Sequence, residues 1–266
     1  MSPAQPPRLA DALAALAARE CRAAERALAD TKRRHRGVHE ARKAVRRLKS
    51  LLLLGHKPFA DALPGIERVL GRLAAGLSPL RDAQVAADVA RSLVGPSPSP
   101  TWRSAIETLE HRSEGHLAEA LHKDPRFLKR RRMLRELAAV IAELPWRQLG
   151  RARIEKALVR SEKRVHKACR RATDEPTPAN LHSWRRRVRR LRMQRDAWRR
   201  ITKAIGRPAH RHAKQDKAET RSLSKLSDTL GARQDLKALS AVLGKLGDPA
   251  TVAPLRAQVR ETLKAL

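Results

Sequence analysis

The sequence predicts an all-α protein made of two similar halves, and three observations support this prediction. Residues 38–49, VHEARKAVRRLK, recur without a gap as residues 181–192, LHSWRRRVRRLR, at an offset of 143. Apolar residues repeat at helical spacing along most of the chain. No segment shows the β-branched alternation that is typical of strands. An internal repeat of this kind indicates two similar units that face each other.

The first half is predicted to contain helices separated by Pro and Gly residues. A helix over residues 8–34 is expected to end at Gly37, a typical C-cap residue, and the first repeat helix follows at 38–55. After breaks at Pro58 and Pro64, further helices are predicted at 65–76, 79–94, 101–122 and 125–144. The clearest loop in the chain, residues 95–100, separates the middle pair.

The second half repeats this organisation after a boundary at residues 144–150, so we assign the halves to residues 1–145 and 146–266. Helices are predicted at 151–171 and at 179–205, which contains the second copy of the repeat. Pro208 opens a long helical stretch to about residue 246, with His210 and His212 on its surface, and a last helix begins at Asp248-Pro249.

Each repeat helix is predicted to carry an apolar stripe beside a basic stripe. The apolar stripes contain Val38, Ala41, Val45, Leu48 and Leu52 in the first copy, and Leu181, Trp184, Val188 and Leu191 in the second. The basic stripes contain His39, Arg42, Lys43, Arg46 and Lys49, and His182, Arg185, Arg186, Arg189 and Arg192. Residues 42–54 and 181–195 contain no carboxylate. We therefore expect each basic stripe to be unpaired within its own helix.

The charge balance indicates a polyanionic partner. The chain has 59 Lys and Arg residues against 27 Asp and Glu residues, a formal net charge of +32. Such an excess opposes compaction through self-repulsion. The candidate partners are nucleic acid, anionic lipid and polymeric phosphate.

Cysteine use and the N-terminal segment suggest a cytoplasmic protein. Cys21 and Cys169 are too few for a disulfide framework and are expected to be packing residues in a reducing compartment. The N-terminal segment lacks a basic leader, so no signal peptide is expected. No apolar run is long enough to span a bilayer, and no membrane association is expected.

A weaker echo supports the repeat. Residues 77–82, LSPLRD, resemble residues 230–235, LGARQD, with Leu and Asp five positions apart in both. The plain interpretation of Asp82 and Asp235 is a salt bridge or a helix cap, which we favour. Alternatively, each carboxylate orients Arg or His side chains of the basic stripe.

The pattern His-x-x-Arg-Lys/Arg-x-x-Arg-Arg-Leu-Lys/Arg, present twice in a basic helical chain, resembles the CHAD family, the conserved histidine α-helical domain. The resemblance implies two antiparallel four-helix bundles related by a pseudo-twofold axis, with a basic groove or pore between them. It also implies binding of inorganic polyphosphate, often with recruitment to polyphosphate granules. The Glu-x-Glu-x-Lys signature of the triphosphatase domain fused to some members is absent here, which favours a stand-alone binding module.

Polyphosphate has a charge on every unit and no bases, so its recognition requires dense cations and bidentate guanidinium contacts. The predicted contact residues are the two repeat copies with a neighbouring pair of lysines: His39, Arg42, Lys43, Arg46, Arg47, Lys49, His182, Arg185, Arg186, Arg189, Arg190, Arg192, Lys163 and Lys167. A solvated charged face is the usual explanation of a single charge run. The duplication of His and Leu in register favours the functional interpretation.

His39 and His182 allow three interpretations. They are structural residues that donate to a carboxylate, which we favour, or ligand contacts that gain charge when phosphate arrives, or metal ligands. The metal interpretation is the weakest, because His35 lies beyond the helix break expected at Gly37 and no carboxylate or Cys completes a set. We therefore predict neither a metal nor a cofactor.

An enzyme is not expected, because the sequence lacks a P-loop, an HExxH motif and a nucleophile with an evident base. The four scattered Trp residues resemble core residues more than a base-stacking platform. The alternative to polyphosphate binding is a nucleoid-type protein that binds nucleic acid without reading its sequence. A polyanion hydrolase is the third hypothesis. The oligomeric state is left open.

Overall fold

The structure, a computed structural model, describes residues 8–206 and 213–265. These residues form helices α1 to α9 and no strand, which confirms the all-α prediction. The helices are α1 Leu9–Ala29, α2 Arg34–Leu52, α3 Leu63–Val94, α4 Pro100–Lys123, α5 Leu128–Ala142, α6 Arg151–Asp174, α7 Pro178–Ala204, α8 Ala213–Leu243 and α9 Pro249–Lys264. The predicted helix start at Pro208, and with it His210 and His212, lies outside the described residues.

The prediction that Gly37 ends a helix is wrong, because α2 begins at Arg34 and runs through it. The turn between α1 and α2 is made by the Asp30 carboxylate, which accepts from the backbone N–H groups of Lys32 and Arg33 at 2.9 and 3.1 Å. A Cβ at position 37 would lie 2.3 Å from the Ala27 carbonyl oxygen. Gly37 therefore allows the close approach of α2 to α1.

The predicted break between residues 76 and 79 is also wrong, because α3 is continuous over Leu63–Val94 with Pro79 inside it. Proline removes one helical hydrogen bond. Leu77 and Leu80 on either side of Pro79 are buried in the core. Their packing keeps the helix intact across the missing bond.

Helices that occupy equivalent places in the two halves pack against each other. The hairpin of α1 and α2 corresponds to that of α6 and α7, and the pair α3 and α4 corresponds to α8 and α9. Across the halves, α2 packs on α7, α3 on α8, and α4 on α9. A twofold relation would produce these pairings, although the symmetry itself stays a prediction. The first half has an additional helix, α5, which packs on α1.

Helix α5 is held at its start by a buried carboxylate. Asp124 is 3% exposed and accepts from the backbone N–H of Lys129 at 2.8 Å and from Arg130 Nη1 at 2.8 Å. Arg131 and Arg135 of the same helix pair with Glu25 of α1 at 3.3 and 3.0 Å. Several cations at the start of α5 are thus satisfied within the first half.

Two large hydrophobic clusters each combine residues from both halves. The first contains buried residues of α1, α2, α3 and α5 together with residues of α6 and α7 such as Ile154 and Ile201. The second joins the C-terminal part of α3 and α4 to α8 and α9, for example Leu109 to Leu239. A small third cluster, Val165, Val188 and Leu191, lies between α6 and α7. None of the described helices is long and apolar enough to cross a membrane.

Candidate functional site

The apolar stripes of the repeat helices face the interior and so fix the direction of the basic stripes. All five predicted apolar residues of α2 are buried. In α7 Val188 and Leu191 are buried, whereas Leu181 and Trp184 are partly exposed. The second copy of the repeat is therefore packed less completely than the first.

Helices α2 and α7 meet at equivalent positions of the repeat. Ser50 Oγ lies 3.7 Å from Met193 Sδ, and these two residues are 143 positions apart, which is the offset of the repeat. Gln194 Nε2 donates to the Ser50 carbonyl oxygen at 3.1 Å. One helical turn earlier, the equivalent residues are Arg46 and Arg189.

Arg46 and Arg189 both lie in surroundings of positive charge. Burial, followed by the Arg189 guanidinium and then by Arg42, lowers the pKa of Arg46 to about 10. Burial and the neighbouring guanidinium groups, Arg185 first, lower the pKa of Arg189 to about 10 as well. Within the described residues, neither side chain has a carboxylate partner, and Arg46 Nε is buried without a hydrogen-bond acceptor. We call Arg42, Arg46, Arg185 and Arg189 the arginine cluster.

The outer members of the arginine cluster are positioned by α3 and α8. Arg42 Nη1 donates to the Ala74 carbonyl oxygen at 3.1 Å and to Ser78 Oγ at 2.6 Å. Arg185 donates to Gln234 Oε1, and its Nη2 lies 3.7 Å from Asp235 Oδ1. The Nε atoms of both arginines are buried without an acceptor.

The remaining basic-stripe residues at the edges of the cluster are mostly paired. Lys49 lies 3.4 Å from Glu67, and Arg192 Nη1 lies 3.7 Å from Asp228. Lys43 Nζ lies 3.1 Å from Glu40 of the same helix. The expectation of a stripe unpaired within its own helix is therefore wrong for Lys43, because a carboxylate three residues earlier reaches it. Arg186 is exposed.

Four of the predicted contact residues lie apart from the arginine cluster. Arg47 points toward α1, where its Nη2 lies 2.8 Å from Glu20 Oε2. Its repeat partner Arg190 lies near Arg164 of α6. Lys163 and Lys167 are exposed on α6, and neither is among the groups with the largest effects on the pKa of Arg46 or Arg189.

The repeat histidines lie beside the cluster in different surroundings. His39 Nε2 is 3.9 Å from Glu40 Oε1, and burial, Arg81 and Lys43 lower the pKa of its imidazole. His182 is exposed, with Nδ1 3.2 Å from Gln234 Oε1. A carboxylate thus lies near His39, and an amide lies near His182.

The helix break expected between His35 and His39 is absent, because α2 runs through Gly37. His35 and His39 share the uninterrupted helix α2, but His35 Nε2 lies 2.8 Å from Glu114 and away from the Glu40 contact of His39. Over residues 8–206 and 213–265, no group of three or more His, Cys, Asp or Glu side chains is arranged to hold a metal ion.

Several contacts of the arginine cluster come from the weaker echo and were not predicted. Arg81 lowers the pKa of both His39 and Arg46. Its repeat equivalent, Gln234, accepts a hydrogen bond from Arg185. Ser78 accepts from Arg42, and its equivalent is Gly231, where a Cβ would lie 3.2 Å from Arg185 Nη2. The signal was present, because these residues lie inside the segments LSPLRD and LGARQD.

Asp82 and Asp235 lie near the same cluster. The Arg185–Asp235 contact shows that a carboxylate of the echo pairs with an arginine of the basic stripe. Burial raises the pKa of Asp235, Arg185 lowers it, and Asp82 raises it further. The two interpretations of Asp235, a salt bridge and a carboxylate that orients an arginine of the basic stripe, therefore describe the same contact with Arg185.

Comparisons with known proteins agree with this architecture. The family model of the CHAD domain matches residues 9–244. The fold is similar to the crystal structure of the CHAD domain from the plant Ricinus communis, with a TM-score of 0.72 and 19% identity over 100% of this chain and 88% of that chain. It is also similar to PptA from Streptomyces chartreusis, with a TM-score of 0.60 and 15% identity over 96% of this chain and 95% of that chain. The search of curated proteins gives no match.

Proposed function

Because this chain belongs to the CHAD family, we propose that its arginine cluster binds inorganic polyphosphate. The observation that carries the proposal is the meeting of Arg46 and Arg189 among guanidinium groups, with no carboxylate partner among the described residues. Like charges at such positions oppose folding, and a bound polyanion offsets that cost. A polymer with one charge per unit and no bases matches a site that offers guanidinium groups without stacking surfaces.

The contact set we propose leaves out four of the residues predicted from the sequence, Arg47, Arg190, Lys163 and Lys167, and adds Arg81. Arg47 is excluded, because Glu20 already binds its guanidinium group. Arg81 is added, because it lies near His39, Arg42 and Arg46. Its own carboxylate partner, Asp88 at 3.3 Å, is solvent-accessible, unlike the buried Glu20. The central contacts are the arginine cluster, and those at its edges are His39, Lys43, Lys49, Arg81, His182, Arg186 and Arg192.

We further infer that the chain is a binding module that associates with polyphosphate granules and performs no catalysis itself. A fluorescently tagged copy should concentrate at granules and disperse in cells that cannot store polyphosphate. Purified protein incubated with polyphosphate and a divalent metal should release no phosphate. Release of phosphate would assign the chain to the polyanion hydrolases instead.

The binding site is tested by reversing the two central charges. The variant R46E/R189E should lose polyphosphate binding and keep its helical circular dichroism spectrum. The matched control is R103E/R112E, which makes the same charge change at exposed positions of α4. Equal affinity of R46E/R189E and the control would remove the arginine cluster as the site.

The nature of the polymer is tested by competition across a salt series. Long-chain polyphosphate should displace duplex DNA from the wild-type protein at physiological salt. Both ligands lose affinity as salt rises, since both release counterions. If DNA instead displaces polyphosphate at every salt concentration, the chain is a nucleic-acid-binding protein.

A further inference from the structure

The weaker echo carries a cation in the first half that the second half lacks. Arg81 of α3 lies one turn after Ser78, whose Oγ accepts from Arg42 of the arginine cluster at 2.6 Å. The residue of α8 equivalent to Arg81 is Gln234, and its side chain accepts directly from Arg185. Position 81 therefore lies at the edge of the arginine cluster, and only the first half places a guanidinium group there.

The Arg81 guanidinium is held by a carboxylate farther along the same helix. Arg81 Nη1 lies 3.3 Å from Oδ2 of Asp88, which is two helical turns toward the C-terminus of α3. Arg42 contacts α3 at Ala74 and Ser78, on the opposite side of Arg81 along the helix. The contact with Asp88 therefore draws the Arg81 guanidinium away from Arg42.

Asp88 has other partners and does not depend on Arg81. Gln84 Nε2 donates to Asp88 Oδ1 at 2.9 Å, and Arg91 Nη1 lies 3.7 Å from the same oxygen. Gln84 is fixed in turn by the hydroxyl of Ser113, which is 1% exposed and donates to Gln84 Oε1 at 3.1 Å. The Asp88 side chain is 42% exposed, and an ion pair so open to water contributes little to stability. Arg81 can therefore exchange Asp88 for another anion at small cost, while the carboxylate stays in place.

The second half lacks both members of this ion pair. Because α3 and α8 are continuous helices, the offset of 153 that aligns Arg81 with Gln234 also aligns Asp88 with Ala241. The cation and its carboxylate are thus present together in one half and absent together in the other. This difference indicates that a further cation beside the arginine cluster needs a counter-ion in the ligand-free protein.

We propose that Asp88 is a positioning residue that holds Arg81 back in the free protein and releases it to the phosphate polymer. The inference rests on the proposed function and adds a fifth guanidinium group to the arginine cluster when the polymer binds. Asp88 and the polymer compete for Arg81, so Asp88 weakens binding. Its removal should strengthen binding, and only when Arg81 is present.

The experiment uses D88N, which removes the charge of Asp88 and keeps an oxygen for the hydrogen bond from Gln84. E107Q, at an exposed carboxylate of α4, is the control of equal charge change. Binding of long-chain polyphosphate is measured by calorimetry at physiological salt, where charges more than about 8 Å apart are screened. Relative to E107Q, D88N should bind about 3-fold more tightly, the size expected for the release of one exposed ion pair.

The same comparison is repeated in the background R81Q, which gives position 81 the residue of the second half. There D88N should show no gain over E107Q, because no guanidinium group is left to release. D88A, which reproduces Ala241, should match the gain of D88N in the presence of Arg81. Circular dichroism checks that each variant keeps its helices.

Either of two results would exclude Asp88 as the residue that restrains Arg81. One is a D88N affinity equal to or below that of E107Q, and the other is the same gain with and without Arg81. A wild-type protein that does not bind polyphosphate would instead refute the proposed function. Loss of binding in R46E/R189E together with no effect of D88N would refute only the role of Asp88, so the two failures are distinguishable.

Discussion

Removing the charge of Arg46 or Arg189 should stabilise the protein while it abolishes ligand binding. Each of the two guanidinium groups has its pKa lowered to about 10, which corresponds to about 3 kcal/mol against folding. Both side chains are partly exposed, so screening by solvent reduces this to about 1 kcal/mol. Because the folded and unfolded pKa values both lie far above neutrality, the penalty is fully present at pH 7. The substitutions R46M and R189M should therefore each raise the free energy of unfolding by about 1 kcal/mol.

The measurement is urea denaturation in a buffer without phosphate or other polyanions. The double variant should gain less than the sum of the single gains, because each substitution already relieves the repulsion on the other arginine. R47M is the matched control from the same helix. It leaves the buried Glu20 carboxylate without its partner and should destabilise the protein by about 3 kcal/mol.

Destabilisation of the protein by R46M and R189M, as by R47M, would refute this prediction. In that case the two guanidinium groups would stabilise the fold. Added polyphosphate provides a second check, since it should stabilise the wild type by about 3 kcal/mol at a hundredfold excess over its dissociation constant. It should leave the double variant unchanged.

Two further predictions follow from the surroundings of the site and from helix packing. His39 has a lowered pKa in the folded state, so the unfolded state binds the proton first as pH falls below about 6.5. The ligand-free protein should therefore lose stability in that pH range. Polyphosphate favours the imidazolium and should bind more tightly in the same range. Denaturation and binding titrations against pH should show both effects in the wild type and in the control H111N, a change at an exposed position of α4. A flat response in H39N would confirm His39 as the titrating group. An unchanged pH dependence in H39N would exclude it. G37A should lower the free energy of unfolding by about 3 kcal/mol, because its Cβ meets the Ala27 carbonyl oxygen at 2.3 Å. G71A, which meets no atom within 4 Å on α3, should raise it by up to about 1 kcal/mol, and equal thermal shifts for the two would contradict this account of Gly37.

The repeat made the helices of the site predictable, because the twelve residues of each copy define both a buried apolar face and a charged face of one helix. The segments 38–49 and 181–192 lie within α2 and α7, and the equivalence of Arg46 and Arg189 was readable from the offset alone. Local signals misled at Gly37 and Pro79, where residues that usually end helices lie inside them. In both places, packing with other helices outweighs the local preference.

The partners of the basic stripe were less predictable, because they come from distant helices. Arg47 and Arg190 have the same sequence context, yet one meets Glu20 and the other Arg164. That difference depends on α1 and α6, which lie outside the repeated motif. Arg81 was missed for a similar reason, since its place beside His39 requires α3 to pass Pro79 without a break.

The mixing of the halves within the two large hydrophobic clusters has a consequence for the chain when it is cut. A nick between α5 and α6 would separate apolar faces that pack against each other in the intact chain. The N-terminal fragment would lose partners such as Ile201 of the first cluster, and the C-terminal fragment would lose partners such as Leu109 of the second. Separately expressed fragments should aggregate or be degraded. Co-expressed, they should reassemble, so the chain is suited to split-protein complementation.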